Sequence, residues 1–481
     1  MTSVVTPSGR VLGRQIAGGA EFLGIRYAAA PSGVNRFRAP LPVAAADEIS
    51  ATSYGQACWQ PRGGPLDGLV PDMGSANQGD DCLNLNIWMP TNAENAPVLV
   101  WIHGGAFSLG ANSLPVYNGA RLATSTSSIV VGINYRLGVF GFLCHENADA
   151  NVGILDQIAA LRWVQENISS FGGDANNVTI FGESAGGGSV LSLLSSPLAH
   201  GLFQKAIVQS GATDLLLEKD RAALVAKEVF RQAGVSSLEE FALLPGEKIL
   251  AAQAAAAGAL FATVGTMPFH PCIDGKVLPT SWLEAAQRGI NPVPLIIGTT
   301  RNEMNLFRSF DPSAANLDDE GLKKRLSQHP QTDQVIAAYQ ELGINNAPDI
   351  WQQFTTDTAM WRHAIAIAEA HSQHAPVWMY RFDWPAAAAE LGAPHGVDIP
   401  FAFGTIEDGG WKDFIANPQK AMSLSVEIQK AWSSFARQGV PQLSNVSWPM
   451  YDAKSRSTAL LADSITIEND PGQKIRQLLG A

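Results

Sequence analysis

VTIFGESAGG, from Val178 to Gly187, reads as a buried strand, a sharp turn and the start of a helix, with Ser184 at the apex of the turn. Val178, Thr179, Ile180 and Phe181 are β-branched or aromatic, as a strand covered on both faces requires. Gly182 and Gly186 flank the serine in the pattern G-x-S-x-G, where side chains are excluded because strand and helix nearly touch. Val190, Leu191, Leu193 and Leu194 carry the helix on until Ser195-Ser196-Pro197 ends it. The five-residue pattern is weak by itself, since a chain with 45 glycines produces it by chance on the order of a few tenths of a time. The strand–turn–helix setting makes it specific. Such a turn lifts the hydroxyl into the open at the carboxyl end of a sheet, and the N–H of Ala185 then faces any negative charge developing beside it.

Outward from this turn, apolar runs alternate with helical spacing. Leu83 to Met89, Val98 to Ile102 and Ser128 to Tyr135 precede it as predicted strands, and Lys205 to Gln209, Pro294 to Gly298 and Val377 to Phe382 follow it. Between Gly153 and Ser170, apolar Ile154, Leu155, Ile158, Leu161, Val164 and Ile168 have the period of a helix. Val4 to Tyr27 suggests an antiparallel hairpin, and Arg36 to Pro42 an extended surface chain. Gly55 to Gly79 is a Gly- and Pro-rich excursion, a candidate wall for a cleft, and Ala251 to Leu260 a small helix. The expected architecture is α/β: one domain over residues 1–481, with a large, mostly parallel central sheet, helices on both faces and ligand chemistry at the carboxyl ends of the strands. Helical insertions at about 215–290 and 311–373 would lie over the site and shape its pocket.

The 481 residues are 46% hydrophobic and 16% charged, the composition of a folded globular chain. A net charge of −12 with no basic run argues against nucleic acid or an anionic membrane as the main partner. No apolar run approaches the roughly 18 residues a membrane span needs. The opening MTSVVTPSGRVLG lacks a signal-peptide pattern, so the expectation is a cytoplasmic protein, or a secreted one if the chain is a trimmed mature form. Four cysteines without a C-x-x-C pair read as buried thiols; Cys58 and Cys82 alone are separated by a plausible surface loop and could be bridged in an oxidising compartment. Nine histidines include no H-E-x-x-H, and His371 and His374 read as lying on the exposed side of a helix. Neither a metal nor an organic cofactor is expected.

A serine is a poor nucleophile at neutral pH and needs a base, which in turn needs an orienting acid. In the chain order Ser, acid, His, Glu303 stands in GTTRNEMNLF just after the strand Pro294 to Gly298. His395 stands in GAPHGVDIPFAFG, in a loop after the strand Val377 to Phe382. Asp274 and Asp357 are competing acids, although an Asp-Gly turn accounts for Asp274. In WIHGGAF, Gly104 and Gly105 let the backbone turn its N–H groups inward, so that Gly105 and Ala106 can join Ala185 as donors to an oxyanion. Glu183 would support the site from beside the nucleophile.

With these residues in place, the chain resembles the type-B carboxylesterases, the group that includes bacterial para-nitrobenzyl esterases and cholinesterases. FLGIRYAAAP, RFRAP, GDDCLNLNIW, WIHGGAF, NYRLGVFGF, VTIFGESAGG, AIVQSGA, PCIDGKVLP, GTTRNEM and HGVDIPFAFG stand in that family's order over nearly the whole length. The resemblance implies an α/β-hydrolase fold, with Ser184 as nucleophile, Glu303 as acid and His395 as base. It places Gly105, Ala106 and Ala185 in the oxyanion hole and Ser210 in support of the triad. It further implies a Cys58–Cys82 disulfide and ion pairs of Arg38 with Asp80 and of Arg136 with Asp156. Ala106 stands where cholinesterase-like members carry glycine, and the resemblance ties a G-G-G or G-G-A turn here to acceptance of bulky, including tertiary, alcohol esters. Asn302 precedes Glu303 where aspartate is common, and no aromatic pattern marks a choline site, so choline esters are not expected.

The resulting expectation is a serine carboxylesterase acting on short- to medium-chain or bulky-alcohol esters, as a monomer or weak homodimer, with a small-molecule ester as its partner. The alternatives are a lipase or sterol-esterase-like hydrolase, which would need a large apolar lid, and a non-catalytic cholinesterase-like binding domain, whose relatives lack the nucleophile.

Overall fold

In the computed structural model, which describes residues 1–63, 68, 71, 77–265 and 267–480, the strands are β1 (Thr2–Thr6), β2 (Gly9–Ile16), β3 (Gly19–Arg26), β4 (Glu48–Ser50), β5 (Asn84–Pro90), β6 (Ala96–Ile102), β7 (Ile129–Ile133), β8 (Gly173–Glu183), β9 (Lys205–Gln209), β10 (Leu295–Thr300), β11 (Val377–Phe382), β12 (Ser457–Leu461) and β13 (Thr466–Asn469). Among the described residues they form one sheet in the order β1-β2-β3-β5-β7-β6-β8-β9-β10-β11-β12-β13, with β4 beside β2. From β7 to β12 every neighbouring pair is parallel. Antiparallel strands extend this block at both edges.

The parallel block follows from the continuous apolar runs. Along β6, Val98, Val100 and Ile102 pack into one apolar cluster with the helices Val152–Asn167 and Ala185–Ser195. Leu99 and Trp101 face the opposite cluster, which contains Leu424, Ile428, Trp432 and Phe435 of the helix Pro418–Gln438. Successive side chains alternate between the two faces, so a strand between two helical layers must be apolar at every position. Each such side chain, fully buried, is worth roughly 1.5–3 kcal/mol. Strand β8 lies in the middle of the block, with Gly182 opposite both Ile102 and Val208. The turn after it therefore opens at the centre of the sheet's carboxyl edge.

Several local expectations change. The N-terminal hairpin is a three-stranded antiparallel meander. The alanine-rich stretch lies within one longer helix, Gly246–Val264, because alanine propagates a helix through its flanks. Arg36 and Phe37 are buried rather than surface chain; Phe37 stacks on Phe140 and Phe241, with ring centres 6.2 and 5.2 Å away. His371 is buried as well, its Nε2 2.7 Å from the Val293 carbonyl, whereas His374 is exposed. Much of the Gly55–Gly79 excursion lies outside the described residues. Helices Lys219–Ala233, Leu238–Ala242, Gly246–Val264 and Trp282–Arg288 occupy the first expected insertion. The second holds Asp319–Leu326, Thr332–Glu341, Ala347–Thr356 and Arg362–His371.

Of the two implied ion pairs, one is present and one is shifted. Arg136 forks onto Asp156, with Nε to Oδ2 at 2.8 Å and Nη2 to Oδ1 at 2.6 Å, both side chains being buried. Asp80 pairs with Arg36, at 2.8 Å, and not with Arg38. The chain turns at Gly33–Asn35, so Arg36 points inward, where the carbonyls of Ala242 and Leu244 take its remaining donors. Cys58 and Cys82 are buried free thiols, not a disulfide. No helix among the described residues is long and apolar enough to cross a membrane.

Candidate active site

Ser184 has φ 57° and ψ −124°, a conformation that costs a residue with a side chain about 1–3 kcal/mol. The surroundings enforce it. A Cβ on Gly186 would lie 2.0 Å from the Ile102 carbonyl oxygen, and one on Gly182 would lie 2.5 Å from the Gly186 carbonyl carbon. Ser184 donates its N–H to the Gln209 carbonyl at 2.9 Å and accepts from the Gly188 N–H at 2.9 Å, which pins the turn to β9 and to the helix behind it. The serine is half-buried, and its hydroxyl makes no hydrogen bond to another described residue.

The turn after β6 closes against this serine. Gly105, Ala106 and Phe107 all have positive φ, at 109°, 54° and 54°. The Gly105 carbonyl accepts from the N–H groups of Ser108 and Leu109, so it points away from the serine side. Among the described residues the N–H groups of Gly105 and Ala106 have no protein acceptor, and Ala185 opens the helix Ala185–Ser195 with its N–H at the positive end. A Cβ on Gly104 would sit 2.7 Å from the Glu183 carbonyl oxygen and 3.1 Å from the Ser184 Cβ, which is why the turn begins with glycine. His103, just before it, is buried and stacked on Tyr135 at 4.6 Å; burial lowers its pKa to about 4, so it is a neutral strut.

Glu303 follows β10 and His395 lies in the loop after β11, and the two meet: His395 Nδ1 is 2.6 Å from Glu303 Oε2. The other carboxylate oxygen, Oε1, accepts the Thr300 N–H at 2.7 Å. His395 Nε2 faces Oε1 of Glu183, 3.2 Å away. Phe307 lies against the imidazole at 5.4 Å. Burial pulls the imidazole pKa down, but Glu183, Glu303 and Asp398 together outweigh it and raise it to about 9. Burial, followed by the neighbouring acids Asp398 and Glu303, lifts Glu183 to about 8 against the opposing pull of His395. Several carboxylates around one imidazole cannot all be ionised cheaply, so the cluster holds protons that isolated acids would release.

Asp398 was not anticipated as part of the site. Its Oδ2 accepts from Gln209 Nε2 at 2.9 Å and from the Tyr380 hydroxyl at 3.1 Å, and burial raises its pKa to about 6. No local pattern singles it out: β9 and β11 carry Lys205 and Arg381 as well as Gln209 and Tyr380, and only the approach of these strands to the loop after His395 brings the three together. Ser210 is fully buried just beyond β9, with φ 48° and, among the described residues, no hydrogen-bond partner for its hydroxyl. Its neighbour Gly211 packs on Gly187 of the elbow, where a Cβ would come within 2.8 Å. Of the competing acids, Asp274 caps its own turn by accepting the N–H groups of Lys276 and Leu278. Asp357 pairs with the Tyr339 hydroxyl and Gln353, away from His395. Among the described residues no group of three or more His, Cys, Asp or Glu side chains could hold a metal ion.

The chain matches the profile described as "Carboxylesterase family" over residues 1–476. It is 40% identical to the para-nitrobenzyl esterase of Bacillus subtilis (strain 168), an alignment covering 99% of this chain and 98% of that one. A solved thermophilic PNB esterase superposes with a TM-score of 0.87 at 40% identity, covering 99% of both chains. The Geobacillus stearothermophilus carboxylesterase, solved at pH 6.2, superposes with a TM-score of 0.88 at 36% identity over the full length of both chains.

Proposed function

The chain belongs to the carboxylesterase family and is a serine carboxylesterase, and from that premise we propose that Ser184 is its nucleophile, His395 its general base and Glu303 the acid that orients the base. The observation that carries this assignment is the 2.6 Å contact between His395 Nδ1 and Glu303 Oε2, set beside a serine held at φ 57°. Nδ1–H donates to Glu303, which leaves the Nε2 lone pair to accept a proton. Nε2 faces Glu183 Oε1 at 3.2 Å, on the side of the ring away from Glu303.

The Ser184 oxygen then attacks the ester carbonyl carbon as His395 takes its proton. Negative charge gathers on the carbonyl oxygen, and the N–H groups of Gly105, Ala106 and Ala185 stabilise it; one such donor is typically worth about 10²–10³ in rate. His395 returns the proton to the leaving alcohol, giving an acyl-enzyme on Ser184. Water, deprotonated by His395, releases the acid and restores the serine. The substrates we assign are short- to medium-chain esters, including esters of bulky alcohols, because the Gly104–Gly105–Ala106 turn is the element tied to such alcohols by family resemblance.

Hydrolysis of p-nitrophenyl butyrate and longer homologues by the wild type and by Ser184→Ala tests the assignment. Activity falls by several orders of magnitude in the variant, and an organophosphate labels the wild type alone, once per chain. Undiminished hydrolysis by Ser184→Ala would remove Ser184 from the mechanism. Comparing tert-butyl with n-butyl acetate tests the bulky-alcohol reading, which fails if only the linear ester is cleaved.

A further inference from the structure

Two cysteines outside the catalytic site meet across segments far apart in sequence. Cys144 follows the short helix Gly138–Phe142, and Cys272 lies in the first helical insertion, yet Cys144 packs against the small cluster that holds Cys272. With Leu217 and Ala222 they form a small apolar cluster separate from the main cores. Neighbouring backbone holds the pair in place without help from the sulfurs. Asn151 Nδ2 donates to the Cys272 carbonyl and Asn151 Oδ1 accepts the Cys272 N–H, each at 2.8 Å. Leu217 donates to the Pro271 carbonyl and accepts from the Ile273 N–H, both at 2.9 Å, which fixes the insertion side.

The two sulfurs are unequal. Cys272 is buried, whereas Cys144 is partly exposed. The neighbouring Cys272 thiol pulls the Cys144 thiol below its usual range; Lys219 adds to that effect, while burial and Asp274 oppose it. The Cys272 thiol moves the other way and keeps its proton. An accessible sulfur with thiolate character beside a protected thiol is the arrangement of an attacking and a resolving cysteine. The Cys58–Cys82 pair lacks it, because both of those sulfurs are buried.

We propose that Cys144 is an oxidative modification site for hydroperoxides, with Cys272 as its resolving partner. The Cys144 sulfur attacks a peroxide oxygen; the S–O bond forms, the O–O bond breaks and water leaves after protonation, giving a sulfenic acid. The Cys272 sulfur then attacks the Cys144 sulfur, the S–O bond breaks, and a second water departs with the Cys272 proton. Two electrons pass from the thiols to hydrogen peroxide, which is reduced to two waters, and a disulfide remains. That bond staples the first helical insertion to the loop ahead of the helix Val152–Asn167, and constraining so long a loop raises the melting temperature.

Reduced, folded protein treated with hydrogen peroxide and mapped by mass spectrometry after alkylation tests this. The expected product is a Cys144–Cys272 linked peptide, with Cys58 and Cys82 still reduced, reversal by dithiothreitol and a higher melting temperature. In Cys272→Ser, dimedone traps the sulfenic acid on Cys144. A Cys58–Cys82 link formed first, a Cys144 that goes on to sulfinic acid in the wild type while Cys272 stays free, or four thiols still alkylatable after treatment would each overturn the proposal. The wild-type map alone decides, whatever the variant's folding.

Discussion

The Oε1 of Glu183 lies 3.2 Å from Nε2 of His395, while Oε2 of Glu303 lies 2.6 Å from Nδ1. The imidazole is thus held between two carboxylates, one on each nitrogen, and both stabilise its protonated form. A base held this way is strongly oriented but reluctant to be neutral. Glu183, with Glu303 and Asp398, therefore raises the pH at which the base becomes neutral.

That relationship predicts a pH shift. Activity requires neutral His395, so kcat/KM rises with pH through the base's pKa, which stands at about 9 in the free enzyme. Glu183→Gln removes one contribution that raises this value. The acidic limb should move to lower pH, because the Glu183 charge is the largest single contribution that raises the base's pKa. A pH–rate profile of both proteins measures it, and an unmoved or upward-shifted limb would contradict the arrangement.

Glu303→Gln keeps the side chain's shape and removes the charge that fixes the imidazole tautomer. We expect kcat to fall by about 10³–10⁴ with KM little changed. Asp357→Asn is the matched control, because Asp357 pairs with Tyr339 and Gln353 rather than His395. Steady-state kinetics that showed the Asp357 variant to be the more damaged of the two would reverse the assignment of the acid.

Gly186→Ala places a methyl group 2.0 Å from the Ile102 carbonyl oxygen, and backbone on both sides must give way. The expected cost is about 1–3 kcal/mol of stability, with loss of activity in whatever protein remains folded, since the same turn aims Ser184. Urea denaturation together with active-site titration separates the two effects. A fully active, fully stable variant would mean that the turn is looser than described.

Arg136 and Asp156 are buried together, and Asp156 Oδ2 also accepts the Arg136 N–H at 3.0 Å. Asp156→Ala leaves a guanidinium uncompensated in the core and should cost about 3–5 kcal/mol. Replacing either partner of the exposed Lys474–Glu341 pair should cost less than about 1 kcal/mol. Chemical denaturation of the two variants side by side gives the comparison, and equal losses would show that burial is not what makes the Arg136 pair matter.

The parts of the molecule that could be read directly are those in which the constraint is local. Gly182-Glu183-Ser184-Ala185-Gly186 declares its turn because only glycine fits where strand and helix touch, and β9 and β11 span the residues expected of them. The chain order of Ser184, Glu303 and His395 after successive strands placed all three at one sheet edge. Other features depend on which distant segments pack together, and no local pattern encodes that. The choice of Arg36 over Arg38 as partner of Asp80 was made by carbonyls of Ala242 and Leu244, some two hundred positions away. His371 is buried because its helix packs against the segment that carries Val293. The meeting of Glu183 with Nε2 of His395, the Asp398 network and the Cys144–Cys272 contact arise in the same way. Sequence determined the elements and the strained turn that carries Ser184 through short-range sterics and periodicity, whereas the surroundings of His395 and the thiol pair were decided by tertiary packing, because charge–charge and sulfur–sulfur interactions act through space.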